Sequence, residues 1–310
     1  MTTTPWFCLM GPTASGKTAL ACDLLQQLPF EIISIDSAMI YRDMNIGSAK
    51  PDQTILAQAP HHLINVISPE ETYSVARCRE DVFKCGQDII ERGNIPLLVG
   101  GTMMYFRALQ QGLSALPAAA PEIREKLHAE AQNLGWEQLY QRLKRIDPDA
   151  ASRIHPNDGQ RLLRALEVYE ITQTPMSHYF HQTQQQEDIS FVNLLLMPED
   201  RSWLHARIAE RFLEMIRMGL IDEVKLLQKK WALTAKHPSM RCVGYRQVWD
   251  YLHDHQDQAL LVEKGTAATR QLAKRQLTWL RHWPHGHLFM ADHPINLQEM
   301  IALIRRILDN

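Results

Sequence analysis

Residues 11 to 18 read Gly11-Pro12-Thr13-Ala14-Ser15-Gly16-Lys17-Thr18 and fill every fixed position of the phosphate-loop pattern G-x-x-x-x-G-K-[ST]. The apolar run Trp6 to Met10 precedes the loop and the helical pattern Thr18-Ala-Leu-Ala-Cys-Asp-Leu-Leu follows, so it sits where a strand passes into a helix. Gly11 and Gly16 let consecutive backbone N–H groups turn inward onto an anion, and the helix adds the positive end of its dipole. Lys17 contributes a full charge, and Thr18 offers a hydroxyl to the Mg²⁺ that accompanies a polyphosphate. The motif requires a diphosphate or triphosphate and does not choose between them.

Around this loop the strand tips carry the remaining chemistry. Phe30-Glu-Ile-Ile-Ser-Ile35 is a short β-branched run ending in Asp36-Ser37-Ala38-Met39, which predicts a second buried strand with an acid at its carboxyl end. In open parallel sheets the ligand crevice lies outside those ends, which brings Asp36 near the phosphates; the competing role is a cap on the next helix. Residues 45 to 62 read as loop with a short helix. The paired His61 and His62 point to opposite faces of an extended chain, which fits a structural or substrate-lining role better than a metal. Residues 72 to 92 form a crossover helix closed by Gly93. Ile95-Pro-Leu-Leu-Val99 then leads into Gly100-Gly101-Thr102, again strand, glycine turn and helix, and aims Thr102 at the same crevice. No acid follows this strand, which argues against a motor-type ATPase.

The prolines and small residues around 114 to 121 interrupt the alternation of strands and helices, and 122 to about 186 is amphipathic helix closing in the tract Gln182 to Gln186. Arg153, His155, Arg161 and Arg164 gather there. Phe191-Val-Asn-Leu-Leu-Leu196 resumes the strand type, so the chain returns to the sheet. The next helix sets Arg207 and Arg211 four apart on one face. In the closing helix Arg270, Lys274 and Arg281 form a stripe with Arg275 and Trp279 beside it. Such a stripe is a nucleic-acid surface or a solvated helix face.

Composition bounds the partners. The chain has 310 residues, 22% charged and 45% apolar, with a net charge of −2, so any basic surface is local. Five scattered cysteines without a C-x-x-C pair suit reduced thiols in the cytoplasm, and no apolar run approaches the ~18 residues that span a membrane. The phosphate loop also follows the N-terminus too soon for a signal peptide.

Two enzymatic readings follow: a small-molecule kinase using ATP with Asp36 as base, and a transferase from which pyrophosphate departs. A nucleotide-gated RNA-binding module is a third, without a switch signature. The helical insertion and the arginine-rich C-terminal third favour a macromolecular substrate gripped outside the pocket. The fold expected is α/β, a P-loop NTPase-like parallel sheet flanked by helices, with an all-helical insertion.

The loop Gly11 to Thr18, Asp36-Ser-Ala-Met-Ile-Tyr41 with Asn45-Ile-Gly-Ser-Ala-Lys-Pro51, His61-His-Leu, Val99-Gly-Gly-Thr102-Met-Met-Tyr105 and Arg241-Cys-Val-Gly-Tyr-Arg246 together resemble the bacterial tRNA dimethylallyltransferase family, also called tRNA isopentenyltransferases. The resemblance spans nearly the whole chain. It implies transfer of a dimethylallyl group from dimethylallyl diphosphate to the exocyclic N6 of the adenosine just 3′ of the anticodon, in tRNAs reading codons that begin with U. It also implies Mg²⁺ and a monomer. Core residues would be 1–117 and 191–310, with a helical insertion at 118–190 meeting the anticodon arm. Asp36 would be the general base, with Thr102 orienting the proton or leaving oxygen; Lys17, Thr18 through Mg²⁺ and Arg207, with Arg211 competing, would meet the pyrophosphate. The implied tRNA contacts are Asp36, Ser37, Ala38, Met39, Thr102, Arg124, the run Gln160, Arg161, Leu162, Leu163 and Arg164, the run Arg241, Cys242, Val243, Gly244, Tyr245 and Arg246, and Lys274, Arg275, Gln276, Leu277, Thr278, Trp279, Leu280 and Arg281.

Overall fold

The computed structural model of the protein describes residues 4–181, 189–254, 257–294 and 297–309. The chain runs in order through β1 (Trp6–Met10), α1 (Lys17–Leu25), β2 (Phe30–Ile35), α2 (Gln53–Gln58), β3 (His61–His62), α3 (Val75–Glu91), β4 (Ile95–Gly100) and α4 (Met103–Gln111). Four helices follow, α5 (Pro121–Leu134), α6 (Trp136–Ile146), α7 (Pro148–Arg153) and α8 (Gly159–Thr172). It closes with β5 (Phe191–Met197), α9 (Arg201–Arg217), α10 (Leu220–Lys230), α11 (Tyr245–His253), α12 (Gln258–Arg281), β6 (His287–Met290) and α13 (Leu297–Leu308). Two compact units result, one of Met1–Gln110 with Asp188–Asn310, the other of Gln111–Glu187.

In the first unit the six described strands form one parallel sheet in the order β3-β2-β4-β1-β5-β6. β1 lies inside it with all five residues buried, as a strand apolar on both faces must. Alternation along β1 divides the core. Trp6, Cys8 and Met10 pack with Val82 and Phe83 of α3 and Phe106 of α4, while Phe7 and Leu9 pack with Leu20 and Leu24 of α1 and Met300 and Ile304 of α13.

The register matters most at the strand tips. Met10 of β1 and Ile35 of β2 both pair with Gly100 of β4, so Gly11, Asp36 and Gly101 leave the sheet at one level. Gly100 sits too close to its neighbour for any side chain, since an added Cβ would collide with the Ile35 carbonyl oxygen.

Residues 45 to 62 contain an edge strand that sequence periodicity does not show. His61 and His62 pair in parallel with Ile32 and Ile33, too short a run for alternation to register. His62 Nε2 lies 2.8 Å from Glu31 Oε2, and His61 Nδ1 lies 2.7 Å from the Ala59 carbonyl, so both histidines have structural partners. The crossover helix begins later than expected, at Val75, because the Ser74 hydroxyl accepts from Arg77 N–H and caps it. β6 and α13 complete the sheet and its cover beyond the last element expected from the sequence.

The helical unit has its own core, in which Leu127, Leu139, Leu143, Leu162 and Leu166 are buried. Glu167 is fully buried among them and accepts from Ala120 N–H and from the guanidinium groups of Arg124 and Arg164. Burial opposes its ionisation, but these hydrogen bonds outweigh burial and leave its pKa lowered. Arg164 also donates to the Pro117 carbonyl at 2.7 Å, which ties the residue just before the expected insertion to this unit. The tract Gln182 to Gln186 lies outside the described residues.

At the sheet edge Glu31 accepts from Arg92, Asn94 and His62. The Arg92 hydrogen bond foremost holds its carboxyl down to about 2, below the ordinary 4.5. A depressed carboxyl stabilises the fold above its unfolded pKa and loses that contribution as pH falls, here between about 4.5 and 2. Melting temperatures of Glu31→Gln should therefore be lower than wild type near neutral pH and converge on it toward pH 2; parallel curves would remove this role.

Candidate active site

The phosphate loop takes its shape from its own backbone. Gly16 takes φ 93°, in the left-handed region that favours glycine, and Ala14 takes φ 64°. Lys17 Nζ donates to the Pro12 carbonyl at 2.6 Å, folding its ammonium over the loop. Burial, and then the nearby Arg211 guanidinium, push the Lys17 ammonium down to about 7 while Asp36 opposes them.

Two arginines of α9 reach the same place. Arg207 Nε donates to the Ala14 carbonyl at 2.9 Å and its guanidinium lies over the Trp203 ring at 4.9 Å, which fixes it beside the loop. Arg211 is lowered chiefly by burial, with Asp36 raising it and Arg207 lowering it further. Both members of the pair thus lie near the phosphate loop. Arg207 touches the loop backbone, and Arg211 stands within the fields of Lys17 and Asp36.

Asp36 stands at the tip of β2 and caps a turn rather than the next helix, whose cap is Asp52. Asp36 Oδ1 accepts from Ala38 N–H at 2.8 Å and Met39 N–H at 3.3 Å, capping the turn, while Oδ2 has no hydrogen-bond partner among the described residues. Thr102 N–H donates to the Ile35 carbonyl at 3.3 Å, and Thr102 Oγ1 accepts from Ser37 N–H at 3.1 Å, so the two strand-tip loops are stitched together. Cys242 lies close enough to Asp36 to feel its charge. Burial first, then that carboxylate, push the thiol up to about 12, which keeps it protonated and unreactive at neutral pH.

The candidate RNA residues divide by exposure. Lys274, Arg275, Thr278 and Arg281 of α12 are exposed, as are Arg241 and Arg246; Trp279 is half-buried with the Arg107 guanidinium 5.7 Å from its ring centre. Gln276, Leu277 and Leu280 turn inward and cannot present a side chain to RNA, because a helix with one face on the core must bury about every third or fourth residue. Tyr245 is also buried, its hydroxyl donating to Glu223 Oε1 at 2.6 Å; Gly244 is buried beside it, and Cys242 and Val243 are half-buried. In the helical unit Leu162 and Leu163 are core, and Arg124 and Arg164 are bound to Glu167. Gln160 and Arg161 remain exposed, the latter paired at 3.3 Å with Asp158.

Two residues take loop-holding roles that the sequence does not signal. Gln276 figures in the sequence only among the tRNA contacts that the resemblance implies, yet its side chain joins Thr13 N–H to the Gly101 carbonyl. Glu223 lies on α10, and its carboxylate accepts from the N–H groups of Asn45, Ile46 and Gly47 as well as from Tyr245. It thereby fixes the loop after Asp36 to the segment that carries Cys242 and Arg246.

A family model described as IPP transferase matches residues 39–283. The chain belongs to the IPP transferase family. A second model, isopentenyl transferase, matches residues 5–65, where the phosphate loop lies. This IPP transferase chain is 57% identical over 305 residues to the tRNA dimethylallyltransferase of Legionella pneumophila (strain Corby), covering 98% of the chain and 97% of that relative. It is 50% identical over 300 residues to the tRNA dimethylallyltransferase of Nitrosomonas eutropha, covering 96% and 94%. Among solved structures it resembles the full-length tRNA isopentenylpyrophosphate transferase from Bacillus halodurans, with 32% identity and a TM-score of 0.73 over 99% of this chain and 97% of that one. It also resembles a eukaryotic dimethylallyltransferase acting on tRNA, with 25% identity and a TM-score of 0.83 over 99% of this chain and 80% of that one. The P-loop NTPase-like α/β fold is that of these IPP transferases.

Glu223→Ala leaves three backbone N–H groups and the Tyr245 hydroxyl without their acceptor, so chemical denaturation should show a stability loss of about 2–4 kcal/mol. A loss below about 0.5 kcal/mol, the range of ordinary surface changes, would mean that the loop is held otherwise.

Proposed function

We propose that this IPP transferase is a tRNA dimethylallyltransferase. It moves a dimethylallyl group from dimethylallyl diphosphate to N6 of the adenosine just 3′ of the anticodon, in tRNAs reading codons that begin with U, and releases pyrophosphate. The observation that carries the reading is one sheet edge with a cation-lined phosphate loop and, next to it, a carboxylate with one oxygen unbonded, in a chain 57% identical over 98% of its length to a tRNA dimethylallyltransferase. The same end-to-end likeness disfavours the kinase reading of the loop.

In this reading N6 attacks C1 of the allyl group, the C1–oxygen bond breaks and its electron pair leaves with pyrophosphate. Asp36 Oδ2 takes the N6 proton while Oδ1 stays bound to the turn, so the base is held by the contacts that form its loop. Thr102 orients the proton or the leaving oxygen beside Ser37. Lys17, Arg207 and Arg211 meet the growing negative charge, and an anion offsets the burial and mutual repulsion that oppose the charges of Lys17 and Arg211. The adenine leaves its stack at a cost of a few kcal/mol, and contacts to exposed Lys274, Arg275, Arg281, Arg241, Arg246 and Arg161 offset it.

The donor set suits Mg²⁺ brought in with the diphosphate. Thr18 supplies a hydroxyl at the first turn of α1, and among the described residues no group of three or more His, Cys, Asp or Glu forms a cage of its own. Mg²⁺ neutralises charge on the departing pyrophosphate when bound. No helix among the described residues is long and apolar enough to cross a membrane, and five free thiols suit a reducing compartment, which supports a cytoplasmic enzyme. A monomer, the state that the resemblance implies, completes this reading.

Incubation with Mg²⁺, unmodified tRNA and either dimethylallyl diphosphate or ATP, followed by weighing the RNA, tests the function: a five-carbon mass gain with the first alone is expected, and no gain refutes it. Because Asp36 also caps its turn, Asp36→Asn is the selective variant. It keeps an oxygen for Ala38 and Met39 N–H, and should lower the single-turnover rate at least about a hundredfold with tRNA affinity little changed. Equal losses of rate and affinity would count against the base. Lys274→Ala should weaken tRNA binding and reduce the slope of log affinity against log salt by about 1, read from filter binding at several salt concentrations. An unaltered slope would take Lys274 out of the interface.

A further inference from the structure

The long helix α12 reaches the phosphate loop twice, through Ala273 and Leu277, which pack with Ala14, and through one buried amide. Gln276 is 8% exposed, and each half of its side chain has the partner its chemistry needs: Thr13 N–H donates to Oε1 at 2.9 Å, and Nε2 donates to the Gly101 carbonyl at 2.9 Å. The two partners belong to different strand tips, the phosphate loop after β1 and the Gly-Gly-Thr turn after β4. Gly101 leaves room for this approach, since an added Cβ would collide with Gln276 Nε2. Directly before Gln276 along the helix, Lys274 and Arg275 are exposed to solvent.

We infer that Gln276 is a positioning residue for the diphosphate loop, and that the helix bearing the cation stripe is through it a working part of the diphosphate site. The Thr13 N–H is engaged by Gln276 rather than turned toward an anion, so it anchors the loop's first half and sets the direction in which the later N–H groups point. Loss of the amide leaves a donor at Thr13 and an acceptor at Gly101 without their partners, and the loop must rearrange to satisfy them. A cradle that stabilises a leaving anion works only while its dipoles stay preorganised. The inference rests on the proposed reading of the loop as a diphosphate cradle.

Gln276→Met keeps the side chain's length and removes both hydrogen bonds, while Gly101→Ala disturbs the same contact from the other side. For the full chain and each variant, calorimetry would measure binding of inorganic pyrophosphate with Mg²⁺, filter binding the affinity for an unmodified tRNA transcript, and circular dichroism the fold. Pyrophosphate affinity should fall about five- to fiftyfold in both variants, the effect of one or two hydrogen bonds, with tRNA affinity within about twofold of wild type. A folded Gln276→Met protein that binds pyrophosphate as wild type does overturns the inference. Equal weakening toward both ligands overturns it too, because that marks a general structural role. A wild-type chain that binds no pyrophosphate refutes the diphosphate reading itself, and the inference with it.

Discussion

The alignment of three strand ends at Gly100 governs this molecule. Met10 and Ile35 pair with that residue from either side, the Gly100 carbonyl accepts from Gly11 N–H at 3.4 Å, and the Ile35 carbonyl accepts from Thr102 N–H at 3.3 Å. Three segments far apart in sequence are thereby locked at one height. A slip of one residue between β2 and β4 would move Asp36 by about 3.3 Å along the sheet and turn alternate side chains to the opposite face. The absence of a side chain at Gly100 is what lets β2 lie close enough for the register to hold.

Onto this frame the protein loads positive charge that it does not fully neutralise. Lys17 and Arg211 both lie below their ordinary pKa values, burial being the first cause for each and a neighbouring cation a further one. Asp36 offsets part of that field, and its Oδ1 is already committed to two backbone N–H groups. Such a site gains from any dianion that enters, and a dianion that departs with extra charge gains more than one that merely binds. Burial, and then the Asp36 carboxylate, keep Cys242 protonated, so the thiol does not compete as a nucleophile.

The charges of the helical unit are used differently. Glu167 is buried and ionised because Arg124, Arg164 and the Ala120 N–H surround it, and removal of both arginines would leave an uncompensated charge in the core. Arg124 and Arg164 are thus tied to a buried carboxylate, while Arg161 pairs at the surface with Asp158. On α12 the division runs around the helix instead: Gln276, Leu277 and Leu280 face inward and Lys274, Arg275 and Arg281 outward.

The residues by themselves determined a great deal. The phosphate loop, the acid at the tip of the second strand, the Gly-Gly-Thr turn and the parallel α/β plan follow from local patterns, because loop geometry and strand apolarity are encoded within a few neighbouring positions. The edge strand at His61–His62 escaped periodicity because two residues carry none. Which cations face outward, and that Gln276 and Glu223 hold the site's loops, was decided only in three dimensions. Those contacts join positions that are 263 and 178 residues apart, and a hydrogen bond across such a distance leaves no pattern along the chain.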